Sequence, residues 1–152
     1  MNQVRFIDYE HGVTAIDALY RRPGLAAIHL LIEGGRAALV DAGTNHSADS
    51  VMQVLATKGL QPEHVDYLII THVHLDHAGG AGELLHHLPN ARTVVHPRGV
   101  RHLVDPTKLV AGVTAVYGPD ETRRSFGQIA PIPRDRIIEA PDQFSLGLNG
   151  RN

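Results

Sequence analysis

Thr71-His72-Val73-His74-Leu75-Asp76-His77-Ala78-Gly79-Gly80 follows directly on the apolar run Tyr67-Leu68-Ile69-Ile70 and sets three imidazoles and one carboxylate within six positions. So dense a group of ligating side chains would burden an ordinary surface loop, whereas neutral imidazole nitrogens and carboxylate oxygens are the donors that zinc and related divalent ions take. Because alternate side chains of an extended segment share a face, the spacing predicts that His72, His74 and Asp76 converge from one side. His77 then approaches from another direction, where Gly79 and Gly80 let the chain turn. A histidine-rich surface loop, or two core histidines bonded to backbone, would account for a lone His-x-His. Neither accounts for the added Asp-His and Gly-Gly behind a buried-strand pattern.

Working outward, Ala26 to Ile32 and Arg36 to Val40 read as strands flanking Glu33-Gly34-Gly35, a connection that suits a hairpin. Ser47 suits a helix cap ahead of Val51, Val54 and Leu55, which fall at helical spacing, with the helix ending near Gly59. Gln61-Pro62-Glu63 reads as a short turn into a strand from Tyr67 to Thr71, whose C-terminal end delivers the ligands, as in other layered α/β folds. Downstream, Ala81, Leu84, Leu85 and Leu88 mark one face of a helix that stops at Pro89, and Arg92 to Val95 reads as the next strand. Beyond Pro97 the pattern predicts a helix start at Asp105-Pro106-Thr107, loops at Tyr117-Gly118-Pro119 and Ala130-Pro131-Ile132-Pro133, and a short strand at Arg136-Ile137-Ile138-Glu139. No repeat, low-complexity tract or linker divides the chain, so residues 1–152 are expected to form a single α/β domain.

Composition narrows the chemistry. A hydrophobic content of 43% is enough for a core, and 14 Lys plus Arg against 16 Asp plus Glu, with no block of like charge, marks neither a nucleic-acid nor a membrane face. A small-molecule substrate fits that balance. With no cysteine, any metal must be held by His and carboxylate oxygen, which keeps iron and manganese beside zinc. Met1 to Asp8 lacks the charged and apolar regions of a signal peptide, and the apolar run Leu25 to Ile32 is too short to span a bilayer, so the chain reads as cytoplasmic.

His72-x-His74-x-Asp76-His77 resembles the signature of the metallo-β-lactamase fold superfamily of hydrolases, which includes glyoxalase II enzymes, lactonases and β-lactamases. Upstream, Ala37-Ala38-Leu39-Val40-Asp41-Ala42-Gly43-Thr44 is similar to the strand and Asp-x-Gly turn that precede the signature, and Asn90 to Gly99 is similar to the next strand and turn in one branch of the superfamily. The resemblance runs from about Ile28 to His102. It implies an αββα sandwich, of which this chain would be the N-terminal half. It also implies two divalent metal ions, with His72 and His74 serving the first and Asp76 and His77 the second. Asp76 would in addition be catalytic, orienting the attacking hydroxide. Asp41 reads either as a turn residue at a strand end or as an acid that supports a ligand; the resemblance favours support without direct coordination.

The superfamily completes its metal pair with a further His after a Gly-rich turn, a bridging Asp and one more His. Here the last histidine is His102, and Phe144 to Asn152 is similar only to the lead-in to that segment. His96 and His102 read as loop histidines or as supports of ligands, His86 and His87 as charges placed on a helix C-terminus, and His11, His29, His46 and His64 carry no assignment. The implied function is hydrolysis of a small ester, thioester or lactone-like substrate through metal-bound hydroxide. Two alternatives stand beside it: a catalytically incomplete metal-binding fragment, and a nuclease branch of the same fold. A half-sandwich would also leave an apolar sheet face open to self-association.

Overall fold

The computed structural model of the chain describes residues 4–152. Met1 to Gln3, the start of the stretch read above for a signal peptide, lie outside the described residues. One seven-stranded sheet organises the rest, and its strands lie side by side in chain order. They are β1 (Phe6–Asp8), β2 (Val13–Asp17), β3 (Ala27–Glu33), β4 (Arg36–Val40), β5 (Val65–Ile69), β6 (Arg92–Val95) and β7 (Ile137–Glu139). The first four are antiparallel neighbours and the last four parallel ones.

Parallel neighbours need long crossovers, and helices supply them. Between β4 and β5 runs α1 (Ala48–Thr57); between β5 and β6 run α2 (Leu75–Ala78) and α3 (Ala81–His87). Between β6 and β7 run α4 (Pro97–Val104), α5 (Thr107–Tyr117) and α6 (Pro119–Phe126). Val51, Val54 and Leu55 of α1 and Leu84, Leu85 and Leu88 around α3 join Ile16, Ile28, Leu30, Leu39 and Leu68 of the sheet in one buried cluster. The hairpin between β3 and β4 closes through Gly34 and Gly35 at φ +55° and +79°, with Glu33 paired to Arg36, as a two-residue turn of this hand requires. The opposite sheet face is thinner in cover. Val13, Ala15, Leu31, Tyr67 and Ile69 are only half-buried, and Leu146 and Leu148 of the C-terminal segment close over part of it, leaving a cavity of about 220 Å³.

Three expectations are corrected. The strand expected from Tyr67 to Thr71 begins and ends earlier, at Val65 and Ile69, because the Thr71 amide leaves the ladder to donate to the Asp41 carboxylate. Ser47 does not cap α1; its hydroxyl donates to the Ala18 carbonyl and accepts from the Thr44 amide, tying the loop after β2 to the turn after β4. Tyr117-Gly118-Pro119 is a tight corner between two helices, with Gly118 ending α5 and preceding α6, which is absent from the sequence reading. Strands β1 and β2 were likewise not read from the sequence.

Candidate metal centre

Strands β4 and β5 are parallel with Val40 beside Ile69, so their C-terminal extensions leave the sheet together. The first delivers Asp41 and the second Thr71 and His72. His74 precedes α2 at φ −59°, ψ 143°, and α2 then carries Asp76 and His77. This corrects the expectation that His72, His74 and Asp76 share one face of an extended segment: the chain is extended only to His74, and a single helical turn brings Asp76 and His77 round. The His72 ring lies 5.0 Å from the His74 ring and 4.3 Å from the His77 ring, centroid to centroid. His77 Nε2 stands 3.4 Å from Asp76 Oδ2. The four side chains of the motif are therefore brought into one neighbourhood, while His102 Nε2 accepts from Arg101 Nε at 3.3 Å. His96 accepts from the Arg98 amide at the start of α4.

The glycines act differently from the expectation too. Gly79 and Gly80 both have ordinary right-handed helical angles, so no turn depends on them. Their role is close approach: a Cβ on Gly80 would stand 2.4 Å from the Thr44 carbonyl oxygen and 2.6 Å from that of Ala42. The Gly80 amide donates to Gly43 and the Ala42 amide to His77, so the turn after β4 is laid directly against the motif.

Asp41 sits under the group, 7% exposed and at φ +62°, a left-handed conformation that aspartate tolerates better than most residues. Its carboxylate accepts from the Thr71 amide at 2.9 Å, and from the Thr71 hydroxyl, which is 2.8 Å from each oxygen. It is also 2.9 Å from His77 Nδ1. A carboxylate only accepts, so the His77 proton belongs on Nδ1, and its Nε2 lone pair is free. The Thr71 hydroxyl, spending its hydrogen on Asp41, can accept from His72 Nδ1, 3.0 Å away, which frees His72 Nε2 in the same way. Thr71 thus works with Asp41 to orient both rings. Sequence reasoning assigned it nothing, and its only signal was a hydroxyl immediately before the first histidine.

Asp41, His72 and His77 each offer a ligand atom within 4.8 Å of the others, a spacing a single cation could bridge. Three donors already meet the Asp41 carboxylate, the Thr71 amide, the Thr71 hydroxyl and His77 Nδ1, and this favours a carboxylate that fixes the imidazoles from behind over a ligand. Imidazole nitrogen with carboxylate oxygen, and no thiolate, is a donor set that fits zinc, iron or manganese.

The sequence pattern of the metallo-beta-lactamase superfamily matches residues 21–149, and the chain belongs to that superfamily. It is 28% identical over 108 residues to a ribonuclease of Thermus thermophilus, covering 68% of this chain and 24% of the relative. Over 76 residues it is 40% identical to the hydroxyacylglutathione hydrolase of Salmonella paratyphi A, covering 47% of this chain and 28% of that one. A subclass B3 metallo-β-lactamase from a soil metagenome library superposes with a TM-score of 0.68 at 19% identity, over 95% of this chain and 48% of its own. A superfamily protein of the archaeon Sulfolobus tokodaii gives 0.65 at 23% identity, over 86% of this chain and 48% of its own. The chain spans about half the length of these structures and about a quarter of the curated relatives. Among the described residues no helix is long and apolar enough to cross a membrane.

Proposed function

We propose that this chain carries the first part of the metal centre of a hydrolase acting on a small ester, thioester or lactone-like substrate. The observation that carries the reading is the Asp41–Thr71 pair, which sets the protons of His72 and His77 so that their Nε2 lone pairs are free beside His74 and Asp76. In this reading His72 and His74 would hold one divalent cation, and Asp76 and His77 a second. A bound cation supplies Lewis acidity, making water a better nucleophile near neutral pH and polarising the carbonyl under attack. Asp76, half-buried at the start of α2, accepts a hydrogen bond from the attacking water and so aims its lone pair. Asp41 holds the rings still while charge builds on the substrate, which limits the reorganisation the reaction needs. The 40% identity to a hydroxyacylglutathione hydrolase supports an acyl substrate.

The longer match, to a ribonuclease, supports a second reading in which the same centre cleaves a phosphodiester. The charge balance of 14 basic to 16 acidic residues weighs against it, since phosphodiester grooves are basic. Protein kept in excess zinc, because the motif supplies only two ligands per ion, and assayed in parallel on thioesters, lactones and a short RNA separates the two. Acyl hydrolysis that falls about a hundredfold or more in Asp76→Ala is the expected result. Cleavage of RNA alone would replace the first reading with the second, and acyl turnover indifferent to Asp76→Ala would move the chemistry elsewhere.

A further inference from the structure

Strand direction decides what else reaches the metal edge. Because β3 runs antiparallel to β4 and β2 antiparallel to β3, the loop from Ala18 to Ala26 emerges at the same sheet edge as Asp41, Thr71 and His72. Asp17 pins both ends of that loop, accepting from the Leu19 amide at 2.9 Å and the Gly24 amide at 3.0 Å. The buried Ser47 hydroxyl holds the Ala18 carbonyl at 2.6 Å. Within this frame Leu19 and Arg21 both lie at φ +56°, a left-handed conformation that non-glycine residues seldom adopt. Strain retained in a well-anchored loop beside a reaction centre points toward a role there.

The loop presents Arg21. The Tyr20 ring stacks on the buried Phe126 ring of α6 at 5.5 Å, and the Arg21 guanidinium lies 5.4 Å from the Tyr20 ring centroid and 5.1 Å from that of Tyr117 at the end of α5. Two aromatic rings at these distances attract the cation through their faces and hold it in place without neutralising it. Arg21 is exposed and, like several other arginines, meets no carboxylate among the described residues; what sets it apart is the pair of aromatic rings beside its guanidinium. An uncompensated guanidinium fork is a receptor for an oxyanion that can accept two parallel hydrogen bonds, as both carboxylate and phosphate do.

We propose that Arg21, clamped between Tyr20 and Tyr117 at the metal edge of the sheet, anchors an anionic group, carboxylate or phosphate, carried by the substrate. The proposal rests on the hydrolase reading above for the word substrate and on geometry alone for the anion. It assigns the enzyme to acyl compounds that end in a negative charge, and makes the β2–β3 loop the element that selects them.

The first test removes metal with a chelator, so that no anion can dock at the centre, and titrates the protein with succinate and with inorganic phosphate while following the Nε–H NMR signal of Arg21. Saturable shifts are expected, weakened about tenfold in Arg21→Ala and less in Arg21→Lys, which keeps the charge but not the fork. Tighter binding of succinate assigns a carboxylate, and tighter binding of phosphate a phosphate ester. No saturation, or equal affinity in wild type and Arg21→Ala, overturns the proposal. The second test compares metal-loaded protein on monothioesters of dicarboxylic acids and on their neutral carboxamide counterparts. A preference of about tenfold for the acids, expressed in KM and abolished by Arg21→Ala with kcat on the neutral series retained, is expected. Equal hydrolysis of both series refutes the anchor while leaving the hydrolase reading intact. Hydrolysis of neither series refutes the hydrolase reading, and the metal-free titration then still decides Arg21.

Discussion

Replacing Asp41 by asparagine tests whether this carboxylate sets the protons of the centre or binds the ion itself. Asparagine keeps the shape and tolerates φ +62°, so the backbone is little disturbed. What changes is the list of acceptors. The carboxylate accepts from the Thr71 amide at 2.9 Å, the Thr71 hydroxyl at 2.8 Å and His77 Nδ1 at 2.9 Å. One oxygen of the amide can still serve Thr71, but its NH₂ must then face His77 Nδ1. Two donors cannot share that contact, so the imidazole moves its proton to Nε2 and loses the lone pair a metal needs. Loss of such an orienting carboxylate typically costs ten- to a hundredfold in metal affinity, about 1.4–2.7 kcal/mol. Asp41→Ala should cost more in folding: about 2 kcal/mol for a charge-assisted bond lost in a site only 7% exposed, and about 1 kcal/mol for alanine in a left-handed conformation. Asp41→Gly should recover that last part. Zinc affinity by competition with a chromophoric chelator, together with imidazole ¹⁵N shifts that report the tautomer, reads both effects. An Asp41→Asn protein with wild-type zinc affinity and an unchanged His77 tautomer would refute the orienting role, whereas a loss far beyond a hundredfold would make Asp41 a ligand.

Three further outcomes are expected. Gly80→Ala should destabilise the fold by about 3 kcal/mol in a denaturant titration, because its methyl would meet two backbone oxygens that cannot step aside; a change under about 0.5 kcal/mol would mean that the turn after β4 moves freely. A protein of these 152 residues should surrender zinc to a mild chelator, since the motif offers two ligands per ion where three are usual; two tightly retained equivalents would reveal ligands beyond the motif. Sedimentation should show concentration-dependent association through the thinly covered sheet face bearing Val13, Leu31, Tyr67 and Ile69, and a strict monomer at high concentration would show that the C-terminal segment covers that face well enough.

The metal motif was legible because ligands must be particular residue types and here they are nearly contiguous. The β3–β4 hairpin was legible because two adjacent glycines leave few other readings. Strands β1 and β2 were not, since the inward positions of β2 are Thr14 and Ile16 and the polar one breaks the alternation; Thr14 is buried by donating to Asp8 at 2.7 Å, a partner the sequence does not announce. Helix α6 buries only Thr122 and Phe126 out of a charged octet, too narrow an apolar stripe to read without the Tyr20 ring it stacks on. Helix α2 is a single turn, below any periodicity, so the His-x-His-x-Asp alternation suggests an extended segment where a helix in fact presents Asp76 and His77. Arg136 shows the same limit: it looks like part of a strand, yet its guanidinium donates to the carbonyls of Leu85, Leu88 and Ala91, closing the C-terminal end of α3.

The reversal of strand direction at the β3–β4 hairpin explains why one edge of the sheet carries all the chemistry. A parallel ladder aligns the C-terminal ends of β4, β5 and β6, so Asp41, Thr71 and His72 become neighbours through register alone, with Val40 beside Ile69 and the Asp41 amide bonded to the Ile69 carbonyl at 2.7 Å. The antiparallel half brings the β2–β3 loop to that same edge. Slipping β4 against β5 by one residue would turn every alternate side chain to the wrong face, burying Tyr67 or Ile69 in place of Leu68 and moving Asp41 away from Thr71. Core packing and site geometry therefore select one register between them: the contacts that bury Leu39 beside Leu68 are the contacts that place a carboxylate behind two imidazoles.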